Sequence, residues 1–103
     1  MTCTTGGLPA TDPERRASSG ANGTTTLPAG TSAIVLATNP ARLSGIVQNE
    51  TGGTIYIGYD ATTATTTAGI AVPDGGTYET SGTAAIFAYS ATGGTVRYAQ
   101  EMR

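Results

Sequence analysis

Histidine, lysine and tryptophan are missing from this 103-residue chain, cysteine and phenylalanine occur once each, and only 12% of the residues are charged. Each absence removes a class of function. Without histidine the chain lacks the usual general base near neutral pH and the commonest metal ligand. Without lysine it has neither a Schiff-base amine nor the lysine of a phosphate-cradling loop. Cys3 has no base partner, and a serine or threonine nucleophile without histidine or lysine stays unactivated. A lone cysteine also excludes an internal disulfide, so the fold stands on packing alone, as in a protein assembled in a cytosol.

Paired carboxylates are the one catalytic route left, and the candidates are Glu50, Asp60, Asp74 and Glu79. Each sits in or beside a predicted turn, where an acidic residue is ordinarily just solvated, so the chain is read as a non-enzyme. No run of alternating acidic ligands surrounds Asp74, and neither a metal nor an organic cofactor is expected. Asn22-Gly23-Thr24 and Asn49-Glu50-Thr51 match the glycosylation pattern by letter but read as turn residues. The five basic residues, Arg15, Arg16, Arg42, Arg97 and Arg103, are too scattered to displace counterions from a nucleic acid. The first residues have no basic start followed by an apolar segment, and no apolar run approaches the roughly 18 to 20 residues that cross a bilayer. Neither a secretory leader nor a membrane partner is expected.

What the chain does have is threonine, 15 glycines and regularly spaced turn signals. Threonine is stiff at its first side-chain torsion and suits a pleated strand, while glycine and proline punctuate turns. Residues 1–30 hold Pro9, Pro13, Pro28 and an Asn22-Gly23 turn signal without a sustained hydrophobic period. They read as an extended N-terminal arm, with a disordered tail as the other reading.

From Thr31 the pattern changes. Strands are expected at Ala33–Ala37, Leu43–Asn49, Thr54–Tyr59, Gly69–Val72, Thr77–Thr80, Ala84–Ser90 and Thr95–Gln100. Glu50-Thr51-Gly52-Gly53 separates the second and third as the clearest β-hairpin signal. Turns about every ten residues and no helical period give an all-β, antiparallel fold, a small β-sandwich or jelly-roll-like barrel of six to eight short strands over residues 31–103.

The strand Ala84–Ser90 is apolar on both faces, Ala84, Ile86 and Ala88 on one and Ala85, Phe87 and Tyr89 on the other. Tyr56 shares the second face. Tyr56, Phe87 and Tyr89 therefore make a candidate interface between sister copies, since aromatic residues are favoured at interface cores. The alternative is a central strand covered by the arm or by a long loop. Arg42 and Arg97, in or beside strands, are placed either to hold a carboxylate or to block unwanted edge pairing. A body of about 70 residues with one phenylalanine offers only a modest core, so self-association is expected, a trimer first.

The stretch NPARLSGIVQNETGGTIYIGYD, followed by GIAVPDGGTYET and AAIFAYSATGGTVRYAQE, resembles small β-sandwich virion proteins of tailed bacteriophages. In that group an N-P-x-R segment leads into a strand ending in Asn, a Gly-containing turn and an I-Y-I-G-like strand. A P-x-G-G turn and an I-x-A-x-S…G segment follow. The matching positions are Asn39, Pro40, Arg42, Asn49, Tyr56, Gly58, Pro73, Gly75, Gly76, Ile86, Tyr89 and Ser90, within Thr31 to Glu101. The resemblance implies a structural protein that decorates or cements a phage head, assembled in the host cytoplasm and placed on the capsid surface of the virion. Its partners would be the major capsid protein, contacted by Arg15, Arg16 and Arg42, and sister copies. It is also compatible with a fibre or tail module that recognises host glycans, for which Tyr59, Tyr78 and Tyr98 are the candidate platform, or with a head–tail connector component.

Overall fold

The computed structural model describes residues 19–103. Eight strands follow one another: β1 Ser19–Leu27, β2 Ala33–Leu36, β3 Arg42–Glu50, β4 Ile55–Gly58, β5 Ile70–Val72, β6 Thr77–Thr80, β7 Ile86–Ser90 and β8 Gly94–Met102. They form two four-stranded antiparallel sheets, β1-β8-β3-β6 and β2-β7-β4-β5. The fold is the expected small all-β sandwich.

Three features depart from the sequence reading. Residues 19–27, inside the expected arm, form β1, which matches β8 over nine residue pairs from Ser19↔Met102 to Leu27↔Gly94. The folded body therefore begins before residue 31. Alternation is faint here because small residues occupy most of β1, and only Leu27 is buried. Asn22-Gly23 is not a turn; the Tyr98 side chain lies over Gly23, where a Cβ would stand 2.8 Å from the tyrosine hydroxyl. The bare backbone of one strand is thus covered by the ring of its cross-strand neighbour, Tyr98 being the direct partner of Gly23.

The expected hairpin at Glu50–Gly53 is instead a corner between the sheets. β3 pairs with β6 and β8, whereas β4 pairs with β5 and β7. Asn49 is the reason. Its side chain points inward, is fully buried, and donates from Nδ2 to the carbonyls of Gly53 (2.6 Å) and Val72 (2.9 Å). Its Oδ1 accepts from the Thr51 amide (2.9 Å) and hydroxyl (2.8 Å), and Gly75 N–H donates to its main-chain carbonyl (2.8 Å). One buried amide therefore holds the β3–β4 corner, β5 and the β5–β6 turn together.

Arg42, at the opposite end of β3, is the third departure. It is only 2% exposed and engages neither a carboxylate nor solvent. Its guanidinium donates from Nε to the Gly82 carbonyl (2.8 Å), from Nη1 to Ala37 (2.9 Å) and from Nη2 to Ala84. Burial lowers its pKa. The preceding turn aims it: Asn39 Oδ1 accepts from Ala41 N–H (3.0 Å), the Asn39 carbonyl accepts from Arg42 N–H (3.0 Å), and Pro40 presets the bend. The Asn-Pro-Ala-Arg segment is a structural clamp on the β2–β3 and β6–β7 connections.

Between these two polar ends lies the core. β3 contributes Val47, β1 Leu27 and β8 Val96, facing Leu36, Ile55, Ile57, Val72, Ile86 and Ala88 from the second sheet. A register shift in β2 between Ile34 and Leu36 lets consecutive residues Val35 and Leu36 both enter it and leaves Ile34 on the outside.

Arg42→Ala should cost about 2–4 kcal/mol of unfolding free energy, because three connection carbonyls lose a charged donor at once. Arg42→Lys should recover only part of that loss, since an ammonium cannot span the three acceptors. Urea unfolding followed by circular dichroism measures both.

Candidate functional site

The second sheet has an outer face that reads, strand by strand, Ile34 on β2, Phe87 and Tyr89 on β7, Tyr56 and Gly58 on β4, and Ala71 on β5. Cross-strand register fixes this, because Ile34 lies opposite Phe87, Phe87 opposite Gly58, Tyr89 opposite Tyr56, and Tyr56 opposite Ala71. The three sequence candidates for self-association are therefore neighbours. The Tyr56 and Tyr89 rings are tilted at 51° with centroids 6.4 Å apart, the edge-on kind of contact that aromatic quadrupoles favour.

The face is partly roofed. After β4 the chain loops back over it through residues 59–69, and Ala64 in this loop is fully buried. At Gly58 a Cβ would stand 2.5 Å from the backbone of Thr63 and Ala64, so only a glycine lets the loop lie this close. At Gly69 a Cβ would stand 2.9 Å from the Tyr56 Cβ, and Ser32 Oγ donates to the Ala61 carbonyl (3.4 Å) from the far side of β7. Tyr56, Phe87 and Tyr89 are consequently half-buried, and Ile34, at 48% exposure, is the large apolar side chain of this face left open. The covered-strand alternative accounts for a good part of the apolar surface.

Asp60 fastens the near end of the roof. Its Oδ1 accepts from the Thr62 amide (3.0 Å) and hydroxyl (2.7 Å) and from the Thr63 amide (2.9 Å) and hydroxyl (3.0 Å). These bonds, the Thr62 and Thr63 hydroxyls foremost, hold its carboxyl below the usual carboxylate range.

A second feature lies at the open edge between the sheets. Tyr59 (61% exposed) and Tyr78 separate two shallow hollows, one of about 330 Å³ with Ile57, Asp60, Thr63 and Ile70, the other of about 490 Å³ with Glu79, Ser81 and Thr83. Burial pushes the Tyr78 hydroxyl above its ordinary pKa, and the neighbouring Tyr59 adds to the shift. Tyr98, the third aromatic candidate, is elsewhere, over Gly23.

The remaining candidates are dispersed. Arg42 cannot serve as a capsid contact, because its guanidinium is spent on buried carbonyls. Arg15 and Arg16 lie outside the described residues. Arg97 does hold a carboxylate, Glu50, at 2.7 Å on the exposed face of the first sheet, which raises the Arg97 pKa but contributes little to stability in water. Asp74 accepts from Gly52 N–H (3.0 Å), and Glu79 lies opposite Ile46 on the first sheet. Among the described residues no group of three His, Cys, Asp or Glu side chains could hold a metal ion. Asn49, one of the two letter matches for glycosylation, is buried and fully bonded. No protein-family model, curated protein or solved structure matches the chain.

Sequence reasoning missed the Asn49 hub and, although it named a long loop as one possible cover, did not identify residues 59–69 as the roof. The first had a signal in the polar residue on the inward alternation of β3. The second had one in Gly58, which falls where β4 would otherwise present a side chain outward.

Because the Asp60 carboxyl is depressed in the folded state, its contribution is complete above the ordinary carboxylate range and is lost as pH falls through the depressed value. Acidification should therefore loosen residues 59–69 and open the tyrosines beneath, and Asp60→Ala should do so at neutral pH. Acrylamide quenching of tyrosine emission measures this directly, since no tryptophan masks it. Gly58→Val should give the same increase in quenching by expelling the roof.

Proposed function

We propose that the chain is a structural virion protein of the capsid-decoration type, which docks on the head shell of a tailed bacteriophage and stabilises it by covering joints between capsid subunits. The observation that carries the reading is the part of the second sheet's outer face that the roof leaves open, whose strand side chains are uncharged. Ile34, the Tyr56 edge and Ala71 form an apolar strip there, and no Asp, Glu or Arg stands among the outward side chains of β2, β7, β4 and β5. Such a strip on a charge-poor subunit suits burial against another protein. The resemblance of residues 31–101 to phage virion proteins supports the major capsid protein as that partner. Arg15 and Arg16 would add contacts to the major capsid protein, and sister copies would complete the layer. Asp60 and Asp74 are tied into turns and Glu50 into an exposed ion pair, an arrangement that favours assembly over catalysis by these carboxylates.

The test is to add purified protein to shells lacking it and to follow sedimentation of bound copies and heat release of DNA. Saturable binding with a raised release temperature is expected, and Ile34→Glu should weaken binding at least tenfold. Shells that neither bind the protein nor gain heat resistance would refute the proposal.

The paired Tyr59 and Tyr78 favour a second reading, a glycan-recognising fibre or tail module, because adjacent phenol rings beside hydroxyl-lined hollows can stack on a sugar and bond its rim. A glycan array that binds the native chain but not Tyr59→Ala would select it.

A further inference from the structure

The sheets have four outer strands, and one of them is unlike the rest. β2 and β6 are four residues long and β5 is three, and β2 is further broken by its register shift. β1 runs for nine residues in an unbroken register with β8, and among the described residues nothing pairs with its other side. Long edge strands are ordinarily protected by charge, proline, a bulge or a cover. Ser-Gly-Ala-Asn-Gly-Thr-Thr-Thr-Leu has no charge, no proline and no bulge. Its side chains are small and mostly exposed, so nothing bulky keeps a second strand from the roughly 4.8 Å spacing of a ladder.

We propose that β1 is a pairing edge whose occupant is β1 of a second copy, the two strands running antiparallel about a two-fold axis. The pairing extends the first sheet to eight strands, in the order β6-β3-β8-β1-β1-β8-β3-β6. Self-complementarity is what argues for a copy of the same chain. An antiparallel pair of identical strands satisfies each other's main-chain groups by symmetry, and an uncharged strand meets its own copy without repulsion. Thr24 and Thr26 add hydroxyls to the outward row that continues from one copy to the other. Residues 1–18 are a poorer occupant, because Pro9 and Pro13 would each remove a ladder donor. The pairing leaves the Ile34 face free, so it does not depend on binding to a shell. It offers a dimer in place of the trimer expected from the modest core, and the loop over Gly58 and Tyr56 partly closes the aromatic face a trimer would use.

A cysteine scan of the full chain tests it. In a Cys3→Ser background, single cysteines are placed at Ala21, Asn22, Thr24, Thr25 and Thr26 and oxidised with copper phenanthroline. Antiparallel two-fold pairing sets one position against its own copy, so the yield of disulfide-linked dimer should peak at one site and fall at least fivefold two residues away. Light scattering should show a concentration-dependent dimer, weakened at least tenfold in Asn22→Lys/Thr24→Lys, with the circular dichroism of both forms alike. A flat cross-linking profile, a monomer at every concentration, a trimer, or a dimer indifferent to the two lysines would each overturn the proposal.

Discussion

Everything in this sandwich is arranged around a strand whose inward face is polar at both ends. β3 offers the core Val47 in the middle, an amide at one end and a guanidinium at the other. Buried polar groups are tolerated only when their bonding capacity is filled, and here it is filled by the connections. Asn49 collects the β3–β4 corner and the β5–β6 turn, and Arg42 collects the β2–β3 and β6–β7 connections. The loops at the two poles are thus fixed by the strand between them. This is how a domain with one phenylalanine, no tryptophan and no disulfide among its means of stability attains a defined shape.

The same arrangement explains what could be read in advance. Strand positions were legible, because the apolar alternation of Ile55 and Ile57, or of Ile86 and Ala88, is set by local pleating and survives in the one-dimensional pattern. Partnership between strands was not. A Glu-Thr-Gly-Gly turn has the composition of a hairpin, and what makes it a sheet-to-sheet corner is a bond from Asn49 to Val72, 23 residues away. Arg42 misled for a related reason: an arginine beside a turn is usually solvated, and its acceptors are carbonyls, which every residue carries and no sequence pattern marks. β1 escaped notice because glycine and threonine leave its face unlabelled. The positions on which the expected resemblance rests include Asn39, Pro40, Arg42, Asn49, Gly75 and Ser90, and the structure places them in turns and buried networks. Those positions therefore speak of how the sandwich is fastened and not of what it binds.

Surfaces suited to recognition lie on the flanks of the molecule, away from the fastened poles. The outer face of the second sheet, the tyrosine edge between β5 and β6 and the free side of β1 are three different kinds of surface. One is an apolar strip, one a pair of phenols over shallow hollows, and one a row of main-chain donors and acceptors. A subunit with few charges can present all three because none needs a carboxylate or an ammonium to act.

Placing both polar hubs on one strand also governs how the protein yields. Neither pole can swing open without uncoupling an end of β3, and β3 is hydrogen-bonded on both sides, to β6 and β8. Opening of a connection at either pole therefore carries the cost of leaving a buried amide or guanidinium without its partners. A protease acting on the poles then meets a cleavable chain chiefly when an end of β3 has been released.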